Sequence, residues 1–394
     1  MRLYSIIVGS TLVLTVAWWA LTERLARGRW WVWIARIFLG GEILGLLLNL
    51  GDGLLYSEFM RSLPGWVYAS ELIWYFLGLT LALAVAAVVA LILALRRCQP
   101  GRSAPVAPSG AGGTTRRQFL GLAAAALPPL FTFSLTGVSE SELDHFRVRR
   151  LTLPISGLPL DLDGMTIAQV SDIHVGPFTS DRLLRAVVEA VNALRADLVL
   201  HTGDLINREL SDLAGSLDLA RAMPGRYGQA LIEGNHDLFE SPREFERRAR
   251  ASGIPFLRDE ALVVGVHGHP VQLLGVRWSE GTPRESREAA IARSVRQVLP
   301  LRQDDAFPIL LSHHPHAFDT AAAAGLPLTL SGHTHGGQLM LSDHAGAGPI
   351  LFRYWSGLYS RGGSRLIVSN GVGNWFPLRV QAPAEIVHLT LRRA

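Results

Sequence analysis

The sequence predicts an α/β fold over residues 146–394, preceded by an α-helical transmembrane region. Three observations predict it. The apolar excess is concentrated in the first third of the chain, in runs long enough to cross a bilayer. From Phe146 onward, short apolar strands alternate with helical patterns. Five of those strands end in Asp, His or Asn, residue types that bind metals.

Composition narrows the class before any motif is read. A chain of 394 residues holds two or three structural units. The formal net charge is +4, and every basic side chain is Arg, with no Lys present. No basic stripe with interleaved aromatics occurs, so no nucleic-acid partner is expected. Cys98 stands alone, which excludes an intrachain disulfide.

The apolar runs are Tyr4 to Leu21, Trp30 to Leu50 and Leu72 to Leu95, giving about three spans within residues 1–98. Phe119 to Leu135 is a weaker fourth, rich in Ala and broken by Pro128 and Pro129. Trp18, Trp19, Trp66 and Trp74 lie near the run ends, as interfacial tryptophans do. Arg24, Arg27 and Arg29 follow the first run, and Arg96, Arg97, Arg102, Arg116 and Arg117 follow the third. The positive-inside rule puts both connections in the cytoplasm, and everything after a fourth span at 119–138 outside it. Arg36, Glu42 and Glu71 are ionisable groups within or near these spans. Glu42 is the most interior and is the one to which a ligand or proton role is open, while Arg36 and Glu71 are expected to snorkel.

Residues 99–118 form a Pro/Gly/Ser/Ala linker ending in Thr115-Arg116-Arg117-Gln118-Phe119-Leu120. This hexapeptide resembles a twin-arginine export signal. The competing reading is a plain positive stop before a fourth helix. Either way residues 146–394 are expected on the extracytoplasmic side, and no clear small-x-small cleavage site follows Leu135, so a retained anchor is expected.

The α/β part reads in order as strands at 147–155 and 165–170, a helix at 181–195, and strands at 197–201 and 229–232. A charged helix at 242–251 precedes paired strands at 261–265 and 271–276. A helix at 285–299, a strand at 308–311, a short helix at 318–324 and strands at 326–330, 366–369 and 385–391 complete it. The strand ends run into Ser171-Asp172-Ile173-His174, Thr202-Gly203-Asp204, Gly234-Asn235-His236-Asp237, Ser312-His313-His314-Pro315 and Gly332-His333-Thr334-His335. In extended backbone, residues two apart project to one side, so Asp172 with His174, and His333 with His335, would each face one point. Each fragment alone is a common cap or turn. Five of them at strand ends, where α/β sheets build their sites, are hard to assemble by chance.

Asp-x-His, Gly-Asp, Gly-Asn-His-Asp, a later His and Gly-His-x-His, in that order, resemble the calcineurin-like metallophosphoesterase family. The resemblance spans about Met165 to Leu391. The wording Ser331 to Gln338, and the tail Ser369-Asn370-Gly371-Val372-Gly373 with Pro377-Leu378-Arg379, are similar to its small bacterial branch of membrane-attached, twin-arginine-exported members. Ala384-Glu385-Ile386 departs from the Pro-Glu-Ile of that branch, away from the metal motifs. The resemblance implies a two-sheet β-sandwich flanked by helices (α/β/β/α) and two divalent metal ions drawn from Mn, Fe, Zn and Co. It implies that Asp172, His174 and His335 hold one metal and Asn235, His313 and His333 the other, with Asp204 bridging. His236 would stand beside the substrate, with Asp237 orienting it. It also implies a location in the bacterial cytoplasmic membrane, with contact to the twin-arginine export machinery.

Chemistry supports that reading. Two cations neutralise an anionic phosphoester and acidify a bridging water, whose hydroxide attacks phosphorus in line while His236 protonates the leaving alkoxide as general acid. The expected substrate is a phosphate ester, with a phosphodiester or a lipid-linked phosphoester favoured because an anchored site has high access to the membrane. The alternative is a membrane sensor or partner-binding protein with a structural metal site.

Overall fold

The computed structural model describes residues 2–26, 32–49, 64–97, 116–279, 281, 285–342 and 344–394. The linker expected at 99–118 falls outside them up to residue 115, as do the side chains of Arg116 and Arg117. The chain forms two compact units, Met1–Val138 and Ser139–Ala394.

The first unit is helical: Arg2–Ala26, Val32–Asn49, Gly65–Ile73, Leu79–Arg97 and most of Arg116–Leu143. A π-helical turn, Trp74–Gly78, joins the third to the fourth. By length and composition two helices among the described residues could cross a membrane, Gly65–Ile92 and Gln118–Leu143. The expected break at Pro128 and Pro129 does not occur; both prolines lie inside a continuous helix. Pro129 has no N–H for the carbonyl of Ala125, four residues back. The Trp18 indole N–H donates to that carbonyl at 3.2 Å and supplies the missing partner. Glu71 does not snorkel. It is 4% exposed, as is Glu42, whose carboxylate accepts from Ser70 Oγ at 3.0 Å. Arg36 is ion-paired with Glu23, its Nη2 donating to Oε2 at 2.8 Å.

The second unit is a two-sheet sandwich. Its strands are β1 (Phe146–Ile155), β2 (Thr166–Val170), β3 (Leu198–His201), β4 (Gly228–Leu231), β5 (Glu260–Val266), β6 (His269–Gly275), β7 (Phe307–Leu311), β8 (Leu328–Ser331), β9 (Met340–Ser342), β10 (Ala345–Gly346), β11 (Gly357–Arg361), β12 (Ser364–Val368) and β13 (Ala384–Arg393). One sheet has the order β1-β13-β2-β3-β4 and the other β11-β12-β8-β7-β6-β5. In the first, β2, β3 and β4 are parallel; in the second, β6, β7, β8 and β12 are parallel, with antiparallel edges β5 and β11.

Three apolar layers explain the stacking. Ile167, Leu198, Leu200 and Leu389 of one sheet meet Leu273, Ile309, Leu330 and Ile367 of the other. The outer face of the first sheet, with Ala168, Val199 and Ile386, is covered by Leu183, Val187 and Val191 of helix Asp181–Leu194 and by Phe245 of helix Pro242–Ala251. The outer face of the second, with Leu274 and Leu310, is covered by Ile291, Val295 and Val298 of helix Arg287–Val298. The central parallel strands are buried on both faces, which is why they read as unbroken apolar runs. The sequence reading missed helix Leu213–Arg221, β9, β10, β11 and helix Ala347–Leu351, all short and weakly periodic.

Ile309 is fully buried in the layer between the sheets. Ile309→Ala is expected to destabilise this unit by about 2–5 kcal/mol, read as a lowered thermal midpoint of the purified chain.

Candidate metal centre

Parallel strands bring their C-terminal ends to one edge of each sheet, and the segments leaving those ends carry the polar cluster. Asp172 and His174 follow β2, Asp204 follows β3, Asn235, His236 and Asp237 follow β4, His313 follows β7, and His333 and His335 follow β8. Three groups among the described residues have ligand atoms close enough to hold a metal ion: Asp172, His174 and His335; His174, Asp204 and His236; and Asp204, His313 and His333. Nε2 of His335 lies 3.2 Å from Asp172 Oδ1 and 3.0 Å from His174 Nε2. Nε2 of His313 lies 3.1 Å from Asp204 Oδ2, and that of His174 lies 3.5 Å from the same oxygen. Asp204 thus borders both a cluster with His174 and a cluster with His313 and His333.

The convergence does not come from extended backbone, as the two-residue spacing suggested. Asp172 (φ 52°), His174 (φ 47°), Asp204 (φ 56°), His333 (φ 76°) and His335 (φ 49°) are all left-handed. Each such residue costs on the order of 1–3 kcal/mol and persists where its surroundings fix it. Here hydrogen bonds do so. The N–H of His333 donates to Asp172 Oδ1 at 3.0 Å, and that of His236 to Asp204 Oδ1 at 2.8 Å. Two motif glycines keep space for these carboxylates: a Cβ on Gly234 would lie 2.1 Å from Asp204 Oδ1, and one on Gly332 would lie 2.2 Å from Asp172 Oδ2.

Asp237 has a different task from the one expected. Its oxygens accept from the backbone N–H groups of Gly234 (2.9 Å), Asp204 (2.9 Å), Leu205 (2.8 Å) and Ile206 (3.2 Å), tying the Gly-Asp segment to the Gly-Asn-His-Asp segment. The His236 ring is oriented instead by Asn207, whose carbonyl lies 2.6 Å from Nδ1. That contact places a proton on Nδ1 and aims Nε2 at the cluster. Phe239 and Trp375 flank the His236 ring, with centroids at 4.5 and 5.6 Å.

The donor set fits divalent cations. His174 Nδ1 and Asn235 Oδ1 are buried without a hydrogen-bond partner, a costly arrangement that a cation would relieve at Asn235. Burial, the largest effect, lowers His236 to about 4 and His333 to about 3, so both are neutral and offer lone pairs. Burial also opposes charge on His313, but the Asp204 and Asp172 carboxylates outweigh it and raise it to about 10. Against burial, the surrounding imidazoles hold Asp172 well below the usual carboxylate range, and Asp204 is lowered in the same way. Carboxylate, amide and imidazole ligands without thiolate suit Mn, Fe, Co or Zn.

Three contributors escaped the sequence reading. Trp278 packs against His313, His314 and His333, with centroids at 5.6, 5.5 and 4.9 Å. Asn207 acts through its backbone, which no side-chain pattern reveals. Arg379 is fully buried, donates to the carbonyls of Ala382 (2.9 Å), Asn370 (3.1 Å) and Gly373 (2.7 Å), and places Nη2 3.2 Å from His335 Nδ1. Its only advance signal was its place in the Pro-Leu-Arg tail. His201 is buried in β3, and His314 Nδ1 accepts from the N–H of His316.

Comparison with known proteins follows the same residues. Residues 165–337 match the sequence model of the family described as calcineurin-like phosphoesterase. The uncharacterized metallophosphoesterase Cj0846 of Campylobacter jejuni is 30% identical over 272 residues, covering 67% of this chain and 68% of that protein. The chain belongs to the calcineurin-like phosphoesterase family. The uncharacterized metallophosphoesterase YkuE of Bacillus subtilis is 28% identical, covering 71% of this chain and 98% of its own length. A Danio rerio protein named "Transmembrane protein with metallophosphoesterase domain" is 28% identical, covering 74% of this chain and 67% of that protein. A crystal structure of a Thermus thermophilus protein aligns at 16% identity with a TM-score of 0.35, over 53% of this chain and 90% of that one. Family membership implies hydrolysis of phosphoric esters with divalent metal, and the Asp/His clusters are the residues that could bind it.

Two outcomes are expected. Asp204→Asn lowers retention of divalent metal by about 10- to 100-fold or more, measured as metal content after dialysis. In chelator-treated protein, His313 is protonated when folded to about pH 10, against about 6.5 when unfolded. Its contribution to stability is therefore complete below pH 6.5 and is lost as pH rises towards 10. The thermal midpoint falls over that window, and His313→Gln removes part of the fall.

Proposed function

We propose that this chain is a membrane-anchored, dinuclear metal-dependent phosphoesterase whose catalytic unit lies outside the cytoplasmic membrane and whose substrate is a phosphodiester or a lipid-linked phosphoester. The observation that carries the reading is the convergence, at the ends of five strands, of Asp172, His174, Asp204, Asn235, His313, His333 and His335, with His236 beside them. In this reading Asp172, His174 and His335 hold one cation, Asn235, His313 and His333 the other, and Asp204 serves both. Bound there, the cations would neutralise the phosphoryl oxygens and make water acidic enough to attack at neutral pH.

The chain's own groups account for the rest. Asn207 holds Nδ1 of His236 as a donor, so the imidazolium carries its transferable proton on Nε2. As water oxygen bonds to phosphorus and the ester P–O bond breaks, that proton passes to the leaving oxygen. The metal-free site favours neutral His236, because burial lowers it to about 4; the negative charge of a bound phosphoester favours the imidazolium. Trp375 and Phe239 shield the ring from water and give the leaving group an apolar wall. The anchor is supported by the membrane-length helices Gly65–Ile92 and Gln118–Leu143 and by their outward apolar side chains, among them Leu83, Leu91, Leu130 and Phe133. The order of arginines around the apolar runs supports the outside orientation, and the Thr115–Leu120 motif supports a twin-arginine export route.

The test is hydrolysis by the purified full chain with added Mn. Bis(p-nitrophenyl) phosphate is expected to be turned over faster than p-nitrophenyl phosphate, and chelator to abolish both. His236→Ala is expected to cost about 10²–10⁴-fold on an alkyl phosphodiester and much less on the p-nitrophenyl ester, whose leaving group needs no proton. Equal losses on the two substrates would remove His236 from the general-acid role, and full activity in Asp204→Asn would overturn the metal reading.

A further inference from the structure

The segment Gly332 to Gly337 has two faces. His333 and His335 take part in the metal-binding clusters. Thr334 turns the other way, its Oγ1 donating to the carbonyl of Trp355 at 2.6 Å. Behind it, with Gly336 in its wall, lies a cleft of about 420 Å³ that shares none of the seven ligand residues. Its polar side carries Arg147 and Arg149 from β1 and Gln381; its apolar side carries Trp355, Leu358 and Tyr359. Arg147 and Arg149 share one buried carboxylate, that of Glu385, at 3.1 and 2.6 Å. Among the described residues the two guanidiniums share that single carboxylate, two positive charges against one negative, and the described lining adds no Asp or Glu. Beside it, the excursion from β9 through helix Ala347–Leu351 carries three large aliphatic side chains into solvent: Leu341 (76% exposed), Ile350 (81%) and Leu351 (67%). A cation, a Trp/Tyr pair and exposed aliphatic side chains together form the chemistry of a membrane interface.

Chain geometry puts the cleft within reach of one. The last turn of helix Arg116–Leu143 belongs to the catalytic unit. Ser139 Oγ donates to the carbonyl of Pro377 at 3.0 Å and accepts from the N–H of Arg379 at 2.8 Å, and Asn374 Nδ2 donates to the carbonyl of Leu143 at 3.0 Å. From Leu143, Arg147 and Arg149 are four and six residues along the chain, at most about 13 and 20 Å at the rise of an extended strand. Both arginines therefore lie within about 20 Å of the end of that helix.

We propose that this cleft seats the headgroup of an anionic phospholipid of the bilayer, with Leu341, Ile350 and Leu351 meeting its acyl chains. The phosphate faces Arg147 and Arg149, and Trp355 and Tyr359 sit at the level of the glycerol. The seated lipid contacts the back of the segment that carries His333 and His335, so it also orients the catalytic unit on the membrane. This inference rests on the membrane-anchored reading above but not on the chemistry of the metal centre.

The test is a titration of the detergent-purified full chain, in chelator, with dioctanoyl phosphatidylglycerol, read by native mass spectrometry. Dioctanoyl phosphatidylcholine and inorganic phosphate are the comparison arms. One saturable site is expected, about fivefold tighter for the glycerol than for the choline lipid, as one cation at an anionic surface gives. Arg147→Gln should erase that preference. Leu358→Glu, at a half-exposed wall position, should do the same by repulsion without disturbing Glu385. Equal binding of the two lipids, or preference unchanged in both variants, overturns the proposal. Displacement of the lipid by inorganic phosphate also overturns it, in favour of a free-anion site. Chelator keeps the metal centre out of the readout, so failure here is separate from failure of hydrolysis. A chain that stays in solution without detergent would instead count against the anchor.

Discussion

The constraint on which the rest depends is the burial of Asp172 and Asp204 among imidazoles. Two carboxylates and several histidines removed from water are expensive unless opposite charge and hydrogen bonds meet them. Part of that compensation is internal: backbone N–H groups of His333 and His236 reach the two carboxylates, and His313 is held protonated between them. Part is left open, since Asn235 Oδ1 is buried without a hydrogen-bond partner. A cluster built this way is stable enough to fold and is still short of positive charge, which is the condition of a cation site.

That cluster dictates local backbone. Five of its residues are left-handed. Asp237 anchors four backbone N–H groups from two loops at once, so the Asp204 and Asn235 segments behave as one piece. Glycines stand where a Cβ would strike a carboxylate. The sandwich beneath supplies the rigidity: parallel strands buried on both faces fix where each loop begins.

Arg379 extends the same network outward. It links the back of His335 to the carbonyls of the 370–373 segment, and its own N–H is held by Ser139 at the end of the long apolar helix. A buried guanidinium with no carboxylate among its hydrogen-bond partners is satisfied almost wholly by carbonyl oxygens, which fixes loop shape more than charge. Ser139, the tail segment and His335 are thereby joined by one set of hydrogen bonds.

The sequence by itself determined the strands and helices that form the two sheets' cores and their covering layers, because apolar runs of four to six residues bounded by turn residues mark buried strands; the short, weakly periodic elements at 213–221 and 340–361 left no such pattern. It also singled out the candidate ligands, since Asp172, His174, Asp204, Asn235, His313, His333 and His335 each follow such a run within four residues. Tertiary structure alone decided how they converge: left-handed backbone replaced the expected extended alternation, a choice made by hydrogen bonds between loops far apart in sequence. It gave the orienting of His236 to a backbone carbonyl, moved Asp237 to the loops, kept the helix continuous through Pro128 and Pro129 with the help of Trp18, and brought Arg379 and Trp278 to the site. Each of these depends on a partner distant along the chain, or on a main-chain atom common to every residue. Local pattern carries no record of either.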